Sequence, residues 1–431
     1  MSAETIATFI LVGVFFLLLA LRIPVAFSLA LSSVAAARYL EIPLAVLLQN
    51  MVKSVDSFAL LAVPFFIIAG EIMGRGGISR RLIGFAKVLV GDLRGGLAYV
   101  NCITSTFFGG ISGSAVADIS SLGSILIPMM EEEGYDKEFS VSITLSTAVQ
   151  SIMIPPSHNM VMYAMAAGGI SVGRMFLGGI LPGLLLCAML LGYSAYISYK
   201  RKYPAGVRVS FREGAKLVID ALWGLGTIAI IILGVTTGVF TVTESAAVAV
   251  VYACFVSVVI YKDISFKDLF PLFRNGFKTV ASVMFLIACS GAFGWLLAYV
   301  RVPKMVADAM LSLSSNPIII LILLNLVLLI LGMICDMGPI ILIATPVLLP
   351  VATAIGIDPV HFGIIMMLNL GIGLTTPPVG AALFVASSVG KLRMEKVVTA
   401  TLPMYAVMLA VLLLVNFIPA ITLLLPSLIM G

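Results

Sequence analysis

The sequence predicts an all-α polytopic membrane protein built as two inverted repeats, each holding a re-entrant helical hairpin and a transmembrane helix broken at a Pro-Pro pair. Composition gives the first reason. Hydrophobic residues fill 61% of the 431 positions and charged residues 10%, against about 45–50% and 25% in soluble domains. Apolar runs at 7–21, 228–235, 318–333 and 407–425 approach or pass the ~20 residues that cross a bilayer core. The second reason is duplication: Gly110 and Gly332, Pro128 and Pro350, Pro155-Pro156 and Pro377-Pro378, and Gly168 and Gly390 all stand 222 residues apart. Landmarks sharing one offset mark an internal repeat. The third reason is their kind, since Gly and Pro interruptions at matching places in two apolar halves point to a binding site near mid-membrane.

The elements follow in order. Positions 3–21, 23–40 and 58–74 read as spans. The first lacks a basic leading region and an A-x-A cleavage site, so it is expected to stay as a membrane helix. A basic connector carries Arg75, Arg80, Arg81, Lys87 and Arg94. Residues 95–128 are rich in Gly and Ser; as one helix they would reach about 50 Å, too long for a ~30 Å core, yet they are too few for two full spans. A hairpin of two half-depth helices fits, with its tip at 111–114. An acidic loop at 131–138 leads to a span at 139–169 interrupted at Pro155-Pro156, then to a span at 176–199. The basic linker 200–216 separates a first repeat, 1–199, from a second, 217–431.

The second repeat follows the same plan. Spans fall at 217–240, 244–261 and 279–299, a hairpin at 316–350 has its tip near 336–339, a span at 360–389 is broken around Pro377-Pro378, and a last span covers 398–425. Proline breaks helices because it lacks the N–H and clashes with the preceding turn. Each half makes five crossings, an odd number, so the second runs inverted to the first. Cationic residues orient the whole. With the 75–94 connector in the cytoplasm, 20 of the 25 Lys and Arg fall inside and only Arg38, Lys53, Arg174, Arg301 and Lys304 outside, the bias expected of cytoplasmic loops. Both termini then lie outside.

Several classes are excluded. Strand-like alternation over any length is missing, which removes a closed barrel. The net charge of +5 is spread over cytoplasmic connectors, so no nucleic-acid partner is expected. Cys102, Cys187, Cys254, Cys289 and Cys335 sit in apolar runs without paired spacing and read as small core residues. Two histidines, His158 and His361, build no transition-metal site, and neither an H-E-x-x-H nor a P-loop pattern occurs.

Non-helical backbone survives at membrane depth only where protein buries it or a cavity solvates it. Broken helices offer positive N-terminal ends to an anion and free carbonyls to a cation such as Na+. The first tip supplies Ser112, Gly113 and Ser114, and the second Asp336 and Gly338. The breaks add Ser157, His158 and Asn159 in one repeat and Thr375, Thr376 and Gly380 in the other. Asp336 is an ionisable residue inside the membrane, which marks function by default. Ser120, Ser121 and Ser124 read as helix-packing residues. Asp118, one turn into the return arm, and Glu244, at a span start, read as charges stabilised by helix N-termini. One enzymatic alternative remains: Gly110-Ile-Ser-Gly matches the G-x-S-G of rhomboid-like intramembrane serine proteases, with His158 downstream, and it needs a Ser–His dyad within hydrogen-bond reach. The second repeat carries no serine at the matching place, and a protease has no need of an inverted copy.

Five stretches together resemble the large membrane subunit of tripartite ATP-independent periplasmic (TRAP) transporters: Phe108-Gly-Gly-Ile-Ser-Gly-Ser-Ala-Val-Ala-Asp118, Ile154-Pro-Pro-Ser157, the run from Gly238 to Tyr252, Asp336-Met-Gly-Pro-Ile-Ile341, and the run from Asn369 to Gly380. The resemblance implies a non-enzymatic, Na+-coupled elevator that imports an organic acid through the bacterial inner membrane. A periplasmic substrate-binding protein would deliver the acid, and a small four-helix membrane subunit would complete the assembly within the membrane lipid. It places one Na+ site at Ser112, Gly113, Ser114, Pro156 and Asn159, and a second at Gly332, Asp336, Gly338, Thr375, Thr376 and Gly380. Substrate contacts fall to Ser114, Ser157, His158, Asn159 and Pro378. His158-Asn159 stand where many relatives carry an apolar residue, which resembles the branch handling sialic acid; a C4-dicarboxylate stays open. So does a stand-alone Na+/anion symporter of similar hairpin architecture.

Overall fold

Proline and glycine punctuate the helices of this protein, seen in a computed structural model that describes residues 3–206, 208–314 and 316–431. Within the linker read at 200–216, residue 207 lies outside them. The first part of the chain runs α1 (Ala3–Ala20), α2 (Val25–Tyr39), α3 (Leu44–Val55), α4 (Ala62–Arg75), α5 (Ile78–Val90), α6 (Gly96–Ser112), α7 (Ala115–Asp118), α8 (Ser124–Glu132), α9 (Lys137–Met153), α10 (His158–Ala166) and α11 (Val172–Lys200). The rest runs α12 (Phe211–Thr236), α13 (Val242–Phe255), α14 (Phe266–Tyr299), α15 (Val302–Leu313), α16 (Pro317–Ile334), α17 (Met337–Ala354), α18 (Pro359–Leu374), α19 (Ala381–Val389), α20 (Met394–Phe417) and α21 (Ala420–Met430). Among the described residues nine helical segments are long and apolar enough to cross a bilayer. The protein is an all-helical, multi-pass membrane protein.

The broken helices lie at the centre. Every residue of α9 from Phe139 to Met153 and of α18 from Val360 to Leu374 is buried, as expected of a helix surrounded on all sides. The two pack on one another; α6 lies along α9, and α16 lies along α18. An outer layer of α1, α2, α3 and α14 packs around Phe15, Leu29 and Phe293, with the Phe15 and Phe293 rings 5.5 Å apart. Ion pairs gather the connectors at one end. Arg81 meets Asp263, Arg201 meets Asp136 at 2.6 Å, Lys396 meets Glu138 at 3.9 Å and Arg208 meets Asp92 at 4.0 Å.

Four sequence expectations are corrected. Helix α5 lies in the stretch read as a basic connector, and α3 and α15 lie between the expected spans, where the sequence predicts no element. In α5 the buried residues Ile78, Leu82, Ile83 and Ala86 recur at helical spacing while Arg80 stays exposed, so the basic stretch folds as an amphipathic helix. The hairpin arms are not half-depth: α6 has 17 residues and α16 and α17 have 18 each, about 25–27 Å of helix. Pro128 and Pro350 lie inside α8 and α17 rather than at their ends, so the first hairpin runs on to Glu132, and its return arm contains a π-helical turn at Ile119–Gly123. The last span is split at Ile418-Pro419 into α20 and α21, because proline cannot continue the helical hydrogen-bond ladder.

Candidate functional site

At the first tip α6 ends on Gly113, whose φ of +58° a side chain would resist and whose N–H donates to Gly109 O at 3.0 Å. Ser114 opens the return arm: its Oγ accepts from Ala117 N at 3.4 Å, while Ser112 Oγ accepts from Ser114 N at 3.4 Å. Behind the tip, α9 stops at Met153 and α10 restarts at His158. The tip lies on this break backbone to backbone. A Cβ on Gly109 would fall 2.5 Å from Ser151 Cα, and one on Gly113 would fall 2.9 Å from Ser157 Cα and 3.0 Å from Pro156 O. Asn159 Nδ2 donates to Gly113 O at 3.4 Å. Ser157 Oγ is fully buried with no hydrogen-bond partner among the described residues.

The second tip is built differently. Cys335 and Asp336 are extended, and Asp336 Oδ1 caps α17 by accepting from Met337 N at 2.8 Å. Its break, from Thr375 to Gly380, is pinned to the arm by Val379 N and Gly380 N, which donate to Met333 O at 3.1 and 3.3 Å. Arm and broken helix cross at bare glycines: a Cβ on Gly373 would lie 2.7 Å from Gly332 Cα. Thr375 and Thr376 donate their hydroxyls to Ile372 O, each at 2.7 Å, and Tyr405 OH donates to Thr375 O. Both Pro-Pro bonds, Pro155-Pro156 and Pro377-Pro378, are cis.

Both tips open on one cavity of about 520 Å³. Ser112 and Ser114 line it from the first tip, His158 and Asn159 from the restart of α10, and Asp336 and Gly338 from the second tip. The halves touch there, since a Cβ on Gly338 would meet Met162 Cε of α10 at 3.4 Å. The remaining sequence-predicted residues stand outside the cavity wall. Gly113, Pro156 and Ser157 are packed behind the first tip; Gly332, Thr375, Thr376 and Gly380 lie behind the second; Pro378 is exposed elsewhere.

Sequence reasoning missed the wall opposite. There Glu71 and Arg75 of α4, paired at 3.1 Å, and Thr279 of α14 close the cavity. Asp118 is also more than a charge at a helix start: it is fully buried and accepts from Ser105 Oγ at 3.1 Å. Helix-dipole stabilisation, adequate at a surface, does not account for a carboxyl inside the protein. No hydrogen bond joins Ser112 to His158 among the described residues, so the dyad that a protease needs is not assembled. Nor do three or more His, Cys, Asp or Glu side chains cluster among them for a transition metal.

A cavity with a few convergent polar groups, walled by interrupted helices inside a bundle of apolar spans, defines a membrane transporter. The chain belongs to the family described as "Tripartite ATP-independent periplasmic transporter, DctM component", whose model matches residues 12–421. It is 40% identical over 383 residues to the sialic acid TRAP transporter large permease protein SiaM of Vibrio cholerae, covering 89% of this chain and 90% of that one. It is 39% identical over 432 residues to the C4-dicarboxylate TRAP transporter large permease protein DctM of the same species, covering 95% of each. In fold it is similar to the Alcanivorax borkumensis YdaH transporter, at a TM-score of 0.64 and 13% identity over 87% of this chain and 88% of the other.

Proposed function

We propose that this chain is the large transmembrane subunit of a Na+-coupled secondary transporter that imports an organic acid of sialic acid or C4-dicarboxylate type. A periplasmic substrate-binding protein delivers the acid, and a small four-helix subunit completes the assembly in the bacterial inner membrane. Its halves are inverted repeats, 1–199 and 217–431, with both termini periplasmic. The hairpins and broken helices move as an elevator against the outer helices. The observation that carries this reading is the meeting of both tips on one cavity, where Gly338 packs on Met162.

The donor sets suit Na+, a hard cation that takes oxygen ligands. Around the first tip stand Ser112, Ser114, the Gly113 and Pro156 carbonyls and the unpartnered Ser157 Oγ. Around the second stand the Met333, Leu374 and Thr376 carbonyls, the latter two within 2.8–3.2 Å of a Cβ position on Gly380. Co-transported Na+ at these crossings offsets the cost of placing a carboxylate substrate beside Asp336. The N-terminal end of α10, at His158 and Asn159, offers the acid backbone N–H groups and a positive helix end. The cavity runs from the tips to Arg75 and Thr279.

Uptake into proteoliposomes tests the reading. With the small subunit and binding protein present, labelled sialic acid or succinate accumulates only under an inward Na+ gradient. Accumulation that survives replacement of Na+ by choline removes Na+ coupling, and accumulation without any binding protein makes the chain a stand-alone symporter.

A further inference from the structure

Below the first tip, between α6, α7 and α9, lies a buried polar cluster that the tip sites do not use. Asp118 is 0% exposed, as are Asn101, Ser105, Thr144 and Thr147. Asp118 Oδ1 accepts from Ser105 Oγ at 3.1 Å, and Ser105 Oγ is 3.2 Å from Thr147 Oγ1. Thr147 Oγ1 lies 2.9 Å from Asn101 Oδ1, and Asn101 Nδ2 donates to Thr144 Oγ1 at 2.7 Å. Asp118 Oδ2 has no partner among the described residues, and no Lys, Arg or His pairs with the carboxylate among them.

An ionised carboxylate buried with one hydroxyl donor is far from compensated, because a hydroxyl brings one proton and Ser105 divides its own between two acceptors. A proton on Asp118 would leave one carboxyl oxygen bare: on Oδ2 it finds no acceptor, and on Oδ1 it leaves Oδ2 without a donor. A monovalent cation bound by the carboxylate satisfies both, and the surrounding atoms are the oxygens that such a cation takes. We propose that Asp118, Ser105, Thr147 and Asn101 form an additional Na+ site inside the first hairpin. It stands apart from the tip, since Ser105 precedes Ser112 by two helical turns, about 10 Å. By tying the return arm to α6 and α9, the bound ion holds the hairpin closed, and it adds one Na+ to those placed at the tips. Its use in transport rests on the Na+-coupled reading; its existence does not.

Counting bound 22Na+ on the purified full chain by equilibrium dialysis tests this without reference to transport. Asp118→Asn, which keeps shape and removes charge, is expected to bind one Na+ fewer per chain at saturation. Ser114→Ala affects a different ion, weakening its binding without lowering the count at saturation, so the double variant loses one ion and binds another more weakly. Ser105→Ala retains the carboxylate and guards against a misfolded Asp118 variant; it is expected to raise the half-saturating Na+ concentration of one site about tenfold. Equal 22Na+ counts in the wild type and Asp118→Asn overturn the site, as does a variant with an unchanged count whose uptake loses its pH dependence, which would make Asp118 a proton carrier. One ion fewer in Asp118→Asn together with an unchanged Na+ binding curve in Ser114→Ala supports this site while sinking the Na+ site at the first tip.

Discussion

The two hairpin tips occupy matching places in the chain yet are made of different chemistry. The first turns on Ser112-Gly113-Ser114, with a left-handed glycine, two hydroxyls and no charge, and its return arm starts as a four-residue helix followed by a π turn. The second turns on extended Cys335-Asp336 and passes straight into 18 residues of helix. The first tip rests on its break through a packed glycine, while the second presents an exposed carboxylate to the cavity. A neutral, donor-rich tip beside the start of α10 can receive an anion. A carboxylate tip repels one until a cation intervenes. The two tips thus hold matching places in the chain with opposite electrostatic character, one neutral and one anionic.

Removing the charge should break this contrast most severely. Asp336→Asn keeps an oxygen to accept from Met337 N, so the start of α17 survives. Uptake is expected to fall about a hundredfold, or ~2.7 kcal/mol, with thermal stability nearly unchanged. An Asn variant that transports normally at low Na+ would show that charge is not what separates the tips. Next come the backbone crossings. Gly373→Ala and Gly109→Ala force a Cβ to within 2.7 and 2.5 Å of backbone atoms, so each should destabilise the chain by about 1–3 kcal/mol and lower its melting temperature in detergent. Gly192→Ala, in α11 with nothing within 4 Å, is the matched control and should be neutral or slightly stabilising. Equal melting temperatures for all three would mean that the tips are not held by close crossings.

A subtler change sharpens the comparison on the neutral side. Ser114→Ala removes the side chain that accepts from Ala117 N and one hydroxyl facing the cavity. Loss of such a cap costs about 1 kcal/mol. The half-saturating Na+ concentration for uptake should rise roughly fivefold, about 1 kcal/mol, with maximal uptake retained. A Ser114 variant as damaged as Asp336→Asn would mean that the first tip, too, works through more than neutral oxygens.

Much of this architecture was legible in the sequence because proline and glycine act locally. Pro155-Pro156, Pro377-Pro378 and Gly113 interrupt helices whatever surrounds them, and long apolar runs announce spans without knowledge of their neighbours. What escaped depends on neighbours. The helix α5 buries Ile78, Leu82 and Ile83 on one face only, so an average over its length reads as a polar connector. Arg75 and Thr279 reach the cavity from two distant helices, and no spacing links positions 204 residues apart. Asp118 is polar in sequence and buried in space because Ser105 and Thr147, on separate helices, close over it.

The smallest expected effect lies at the connector end, far from either tip, and it tests whether the contrast is confined to the cavity. Tyr203, in the linker between the halves, donates to Asp136 Oδ2 at 2.7 Å and stacks on Tyr135 with ring centroids 4.4 Å apart. Arg94 Nε donates to Tyr203 O at 3.1 Å, so the linker is fastened to the base of the first hairpin. Burial, aided by the hydrogen bond to Asp136, pushes the Tyr203 phenol up to about 12. A raised phenol favours the neutral form in the folded state. Its contribution is therefore complete below pH ~10 and is lost as pH rises through about 12. Tyr203→Phe deletes two part-buried hydrogen bonds, the one donated to Asp136 and the one accepted from Arg201 at 3.2 Å, and should cost about 1 kcal/mol of stability, equally at pH 6 and pH 8, while Na+ affinity and substrate uptake stay at wild-type values. If uptake fell instead, the linker would be part of the moving machinery, and the difference between the two halves would extend beyond their tips.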